Sequence, residues 1–124
     1  AMTAHILFPQ IDAERPATTS PTIIKEIVRG YIGFEGLIVS DDVTMAALSG
    51  VDREKAEATR SAGCDIVLHC YAELEQMREI ALGSGQVSDE SFARFDKARA
   101  AVATSPEEID AAALQTELTS LLQD

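Results

Sequence analysis

The sequence predicts an α/β protein with short parallel strands, and three observations carry that expectation. Three aliphatic runs, within residues 2–8, 37–39 and 66–68, are each the length of a short buried strand. Helical patterns lie between them, giving the order strand, helix, strand, helix, strand, which is the signature of a parallel sheet with crossover helices. From Glu73 onward only helical patterns follow.

Each element has a local reason. The first run holds His5 and stops at Pro9, which has no N–H for a ladder. Residues 10–19 show no periodicity and carry Asp12, Arg15 and Pro16, so they read as a loop. Ser20 then offers an N-cap hydroxyl, Pro21 suits the first helical position, and Ile23, Ile24, Ile27 and Val28 share one α-helical face. Gly30 and Gly33 mark the end of that helix. After the central run, Met45-Ala46-Ala47-Leu48 begins a helical turn that Ser49-Gly50 interrupts. Asp52 is expected to cap a helix over 53–62, and Gly63 to end it. Ser88 is expected to cap a helix with Phe92, Phe95 and Val102 on one face. Asp110 opens a last one with Leu114, Leu118, Leu121 and Leu122. Both apolar stripes are expected to pack, with the opposite sides solvated.

Composition narrows the function. A chain of 124 residues, 46% apolar and 25% charged, fits one small soluble globular domain. Its formal net charge of −11 argues against nucleic acid or an anionic membrane as partner, since both call for clustered Lys and Arg. No apolar run approaches the roughly 20 residues that span a bilayer, no leader pattern is visible, and a cytoplasmic setting is the plain expectation. Cys64 and Cys70 bracket one expected strand, and six residues at about 3.3 Å rise keep them too far apart for a disulfide. Free buried thiols are expected. A metal site from Cys64, His69 and Cys70 is the sharper alternative, though its spacing matches no common zinc pattern.

The stretch richest in chemistry is Gly33-Phe34-Glu35-Gly36-Leu37-Ile38-Val39-Ser40-Asp41-Asp42-Val43-Thr44-Met45. A glycine turn leads into an aliphatic strand that ends in two adjacent carboxylates. In sheets whose strands alternate with helices, that end is where loops converge and ligands collect. Adjacent acids repel, so burial of either needs specific compensation.

This stretch resembles the nucleophile segment of glycoside hydrolase family 3, in the bacterial β-N-acetylhexosaminidase branch that recycles cell-wall fragments. Met2-Thr3-Ala4-His5-Ile6, Arg15-Pro16-Ala17, Ser20-Pro21, Ala62-Gly63-Cys64-Asp65 and the Leu-rich C-terminal tail resemble the same proteins in the same order. The resemblance implies that residues 1–82 form the last three strand-and-helix units of a TIM (β/α)8-type barrel, and 83–124 a helical extension packing on it. A closed barrel of this kind takes about 250 residues. The N-terminal part of the same barrel is therefore an expected partner.

The resemblance also implies a retaining β-N-acetylglucosaminidase, with no cofactor or metal, acting on N-acetylglucosamine-containing muropeptides or disaccharides derived from peptidoglycan. Asp41 would be the nucleophile that forms a covalent glycosyl-enzyme, with Ser40 and Asp42 supporting it. Asp42 would either orient its neighbour or cap a following helix. Met45 would line the sugar pocket or else belong to the core, and His5 would touch substrate or Asp41 or else be structural. The proton donor and the sugar-binding Arg and Lys-His residues are implied to lie on earlier strands and loops. The chain alone is thus expected to be inactive and to expose apolar faces. Two other classes stay open: a receiver-like signalling module holding Mg²⁺ between paired acids, and a catalytically silent fragment. The receiver needs a third Asp after a later strand, where this chain has His69-Cys70, and an Asp-x-Asp phosphatase fails because Asp41 and Asp42 are adjacent.

Overall fold

A computed structural model describes residues 1–71, 73–102 and 110–122 of the chain. At its centre two parallel strands pair, β1 (Val39–Asp42) and β2 (Ile66–Leu68), with Val39 opposite Ile66 and Asp42 opposite Leu68. The register breaks between those pairs. The cause is Ser40, whose side-chain hydroxyl takes the Leu68 N–H at 2.8 Å where a ladder would use a carbonyl. β1 lies two residues later than the aliphatic run suggested, so both carboxylates belong to the strand itself.

The expected first strand is cut short. Residues near Met2 flank β1 on its other side through one parallel bridge to Val39, with Thr3 N–H donating to Val39 O and Val39 N–H to Ala1 O, both at 2.9 Å. Beyond Thr3 the chain leaves the ladder because its groups find other partners. Ile6 O accepts from Ala17 N–H at 2.8 Å, and the His5 ring turns toward Thr18 and Asp42. The predicted order of parallel neighbours therefore holds, and the predicted length of the first member does not.

Residues 10–19 are a loop that closes with a 3₁₀ turn at Ala17–Thr19. Ser20 caps the next helix, its hydroxyl accepting from Ile23 N–H at 3.2 Å. That helix, Thr22–Tyr31, winds as a π-helix and not as the expected α-helix. Its later bonds run five residues back, as in Ile32 N–H to Ile27 O at 2.8 Å. Ile23 and Ile24 are buried, and Gly33 takes a left-handed φ of 70° just past the end. The expected helical turn after β1 is a pair of tight turns, Met45 N–H to Asp42 O and Leu48 N–H to Met45 O, both 3.2 Å.

Four α-helices complete the described residues: α1 (Asp52–Ala62), α2 (Leu74–Ser84), α3 (Asp89–Val102) and α4 (Ala111–Leu121). Asp52 is the first residue of α1, not its cap; the start of the helix is held by the Glu54 carboxylate, which accepts from Val51 N–H at 3.4 Å. Gly63 ends α1 with a φ of 114°, a conformation side chains avoid. Ser88 and Asp110 cap α3 and α4 as the sequence indicates, taking the N–H of Ser91 (3.1 Å) and of Ala112 and Ala113 (3.0 Å).

Two apolar clusters sandwich the strands. One joins Ile24 of the π-helix, Ile38, Ala62 and Cys64, with Val28 and Phe34 against it. The other joins Val43, Leu48, Ala56 of α1 and Ile80 of α2, with Val67 from β2. Gly83 permits the close α1–α2 approach, because a Cβ there would sit 2.3 Å from Arg53 O. The two predicted stripes on the last helices are exposed instead of packed. Phe92, Phe95, Leu114, Leu118 and Leu121 all face outward, and α4 buries none of its residues. Met2, Ile6, Leu7 and Phe8 of the first segment, which flanks β1, are likewise exposed.

Asp65, at the start of β2, is the main polar anchor and was not singled out from sequence. It is 4% exposed, and its two oxygens accept four donors. Ser91 Oγ and Arg94 Nη1 reach Oδ1, each at 2.9 Å, while Ile38 N–H and Arg29 Nη2 reach Oδ2 at 2.8 and 2.7 Å. Burial alone would raise its pKa, but the Ile38, Ser91 and Arg94 bonds outweigh it and hold the carboxyl below the usual range. A folded-state pKa below the unfolded one means that this stability is present above about pH 4 and is lost as pH falls through the folded value. Asp65→Asn should cost about 3–5 kcal/mol, because it leaves Arg29 and Arg94 partly buried and facing a neutral amide. Urea unfolding of the complete protein reads this as a lower midpoint, with the gap to wild type closing as the pH is lowered into the acid range.

Candidate active site

Adjacent residues on a strand face opposite ways, and this gives the two carboxylates at the end of β1 different surroundings. Asp42 points inward and is 7% exposed. Its Oδ1 accepts from Thr44 N–H at 3.0 Å and Thr44 Oγ1 at 2.7 Å, closing an Asx turn. Burial pushes its pKa up, but the Thr44 hydroxyl and amide, with His69 and Cys70 alongside, more than reverse that and keep it ionised. Asp42 thus closes a turn; no helix follows for it to cap.

Asp41 is half-buried and has one tie. Its Oδ1 accepts the N–H of Asp42 at 2.8 Å, and its second oxygen has no partner among the described residues. This is a carboxylate fixed in direction and left with an open lone pair. Ser40, the residue before it, accepts the Leu68 N–H through its hydroxyl.

His5 reaches the same strand end from the opposite neighbour. Its Nε2 lies 2.9 Å from Asp42 O and its Nδ1 2.8 Å from Thr18 Oγ1, which in turn lies 2.8 Å from Thr3 Oγ1. Both ring nitrogens are engaged inside the protein, and neither bonds the Asp41 carboxylate. Met45 is 45% exposed and belongs to neither apolar cluster. Beside the carboxylates lies an open cleft of about 480 Å³ lined by Thr44, Tyr71, Glu73 and Gln76. A more enclosed cleft of about 440 Å³ lies between Arg15 and Lys55 of α1 and includes none of the strand-end residues, so enclosure does not mark the chemistry here.

The later strand contributes His69 and Cys70. Neither ring nitrogen of His69 has a hydrogen-bond partner among the described residues, although both are enclosed. Cys64 and Cys70 are unpaired. Cys64 is buried, and burial with the Asp65 charge pushes its thiol up to about 12. Cys70 is exposed, against expectation, and its thiol is raised by partial desolvation and by the Asp42 and Asp41 charges. Both are protonated and weakly nucleophilic at neutral pH. No cluster of three His, Cys, Asp or Glu among the described residues has the arrangement of a metal site, and Asp42 is buried in its own turn. The paired acids therefore do not present the two open carboxylates that a receiver-like Mg²⁺ site needs.

Sequence reading missed Thr18, Thr44 and Asp65. The Asp42-Val43-Thr44 spacing of an Asx turn was the available signal for Thr44; nothing local marks Thr18 or the two arginines that meet Asp65.

Comparisons with known proteins bear on this geometry. Residues 1–104 match the model of the glycosyl hydrolase family 3 N terminal domain. Over 75 residues the chain is 47% identical to a beta-hexosaminidase of Stenotrophomonas maltophilia, covering 59% of this chain and 22% of that protein. Among solved structures it is similar to a family 3 beta-N-acetylglucosaminidase from Paenibacillus, with TM-score 0.68, 30% identity, and coverage of 89% of this chain and 24% of that one. It is also similar to NagZ from Neisseria gonorrhoeae in complex with N-trifluoroacetyl-D-glucosamine, with TM-score 0.61, 35% identity, and coverage of 75% and 26%. The chain thus spans about a quarter of the length of the proteins it matches.

Thr44→Val should destabilise the complete protein by about 1–3 kcal/mol, since it strips one donor from the buried Asp42 carboxylate. The pKa of Asp42 is depressed by the fold, so this stability is present above the unfolded carboxylate value and disappears as pH falls through the folded one. Unfolding midpoints compared at pH 7 and near pH 3 should show a gap that shrinks in acid; a gap independent of pH contradicts the assignment.

Proposed function

The chain belongs to glycosyl hydrolase family 3, and on that premise we propose that the whole protein is a retaining β-N-acetylglucosaminidase with Asp41 as its nucleophile. The observation that carries the reading is the asymmetry of the carboxylate pair. Asp42 is buried and committed to its turn, whereas Asp41 keeps an unpartnered oxygen at the C-terminal end of a parallel strand. That end is where barrel enzymes gather their chemistry.

In this mechanism the free oxygen of Asp41 attacks the anomeric carbon as the bond to the leaving oxygen breaks, and an acid from another part of the protein protonates that oxygen. The product is a glycosyl ester of Asp41. Water, deprotonated by the same acid in its base form, then attacks the anomeric carbon and releases Asp41 and the sugar. Asp41 attacks as the carboxylate, and the Asp42 N–H held by its Oδ1 fixes the direction of the other oxygen. Met45 and Thr44 border the face from which a sugar would approach.

Residues 1–82 would supply three strand-and-helix units of a TIM (β/α)8 barrel and 83–124 its helical extension. The short coverage of the relatives and the apolar residues left exposed beside β1 support the view that an N-terminal part of the barrel completes the unit. The substrate would be an N-acetylglucosamine-containing muropeptide or disaccharide from peptidoglycan, in keeping with the N-trifluoroacetyl-D-glucosamine held by the gonococcal relative. A cytoplasmic setting agrees with the two free thiols.

Trapping with a fluorinated N-acetylglucosaminide tests the reading. Peptide mass mapping of the complete protein should find the sugar on Asp41, and residues 1–124 alone should show no turnover of an aryl β-N-acetylglucosaminide. A label on Asp42, or on neither acid, overturns it.

A further inference from the structure

We propose that His5 is a positioning residue for the nucleophile: it fixes the peptide after Asp42 and so sets the direction in which Asp41 presents its free oxygen. The proposal rests on the assignment of Asp41 made above and extends it to a residue 36 positions earlier in the chain.

The peptide joining Asp42 to Val43 is clamped at both ends by different strands' neighbours. Its carbonyl accepts from His5 Nε2 at 2.9 Å and from Met45 N–H at 3.2 Å, while its N–H donates to Leu68 O at 3.1 Å. One residue upstream, the N–H of Asp42 holds Asp41 Oδ1 at 2.8 Å. Only the φ and ψ of Asp42 lie between the clamp and the group that orients the nucleophile. A tilt of the clamped peptide is therefore passed to the Asp41 carboxylate almost undamped.

The polarity of the clamp follows from chemistry. A carbonyl oxygen can only accept, so Nε2 of His5 carries a proton. The Nε2–H tautomer then accepts at Nδ1 from the Thr18 hydroxyl, which leaves Thr18 Oγ1 to accept from Thr3. Thr18 is fully buried, so no water competes for its hydroxyl. The result is a one-way chain from Thr3 through Thr18 and His5 to the Asp42 carbonyl, joining the first segment to the end of β1. With both nitrogens used internally, His5 has no polar atom left for a sugar hydroxyl, which separates a positioning role from substrate binding.

Two variants of the complete enzyme separate these roles. His5→Gln puts an amide N–H near the place of Nε2 and preserves the clamp; His5→Asn is too short to reach the carbonyl and keeps only the Thr18 side. Attack geometry is sensitive to shifts of about 1 Å, so His5→Asn should lower kcat on an aryl β-N-acetylglucosaminide roughly 10- to 100-fold. KM should stay within about twofold of wild type, because ground-state binding is untouched. The rate at which a fluorinated glycoside labels Asp41 should fall in parallel, and His5→Gln should recover most of both rates. Wild-type kcat in His5→Asn overturns the proposal, as does a raised KM with kcat unchanged, which would make His5 a substrate contact. Equal loss in Asn and Gln variants together with a lower unfolding midpoint in both would make His5 merely structural and overturns it too. If wild type is labelled on Asp41 while His5→Asn keeps its rate, this inference fails alone; if wild type is not labelled on Asp41, the assignment beneath it fails first and takes the inference with it.

Discussion

The buried carboxylate of Asp65 is the interaction on which the arrangement depends. An ionised carboxylate has about four acceptor positions, and Asp65 fills them with Ile38 N–H, Ser91 Oγ, Arg29 and Arg94. Those four donors come from the residue before β1, from the π-helix and from α3. Arg60 of α1 adds bonds to the carbonyls of Cys64 and Asp65 at 2.7 and 2.6 Å. One small side chain therefore gathers the elements around the N-terminal ends of both strands. Such a buried ionic hub contributes little when intact, since the desolvation of the charge offsets its attraction, but leaving its partners bare is costly. It acts as a constraint on which elements meet and where.

The carboxylate pair lies at the other end of β1. There the same residue type does two jobs because strand alternation gives Asp41 and Asp42 different surroundings. Asp42 is turned into the protein and satisfied by Thr44, so its charge is spent on closing a turn. Asp41 is oriented by one backbone N–H and has no other partner among the described residues. A pair of adjacent negative charges is tolerated because the Thr44 hydrogen bonds, with His69 and Cys70 alongside, outweigh the penalty of burying the inner one. Ser40 links the two ends, since its hydroxyl replaces a ladder acceptor and thereby shifts the register just before the carboxylates.

Local chemistry was legible in the sequence. Ser20, Ser88 and Asp110 cap the helices they were expected to cap, Gly63 ends α1 with positive φ, and the aliphatic runs at 37–39 and 66–68 lie at or beside the paired strands. The illegible part depends on partners far along the chain. Arg29 meets Asp65 across 36 residues and His5 meets Asp42 across 37, and no local pattern encodes either pairing. The first strand was overestimated because β-forming residues at 4–8 do not reveal that His5 and Ile6 bond elsewhere. The stripes on α3 and α4 were recognised as amphipathic, yet amphipathicity names a face and not its partner; both faces remain exposed among the described residues. The π winding of Thr22–Tyr31 carries the same side chains an α-helix would, so periodicity alone could not distinguish them.

The division of labour between the two carboxylates is most directly tested by comparing Asp41→Asn with Asp42→Ala in the complete enzyme, following hydrolysis of an aryl β-N-acetylglucosaminide and the urea midpoint together. Asp41→Asn should abolish turnover at a near-native midpoint, while Asp42→Ala should lower the midpoint and retain measurable turnover. Turnover surviving in Asp41→Asn, or an inactive Asp42→Ala with native stability, would contradict the account.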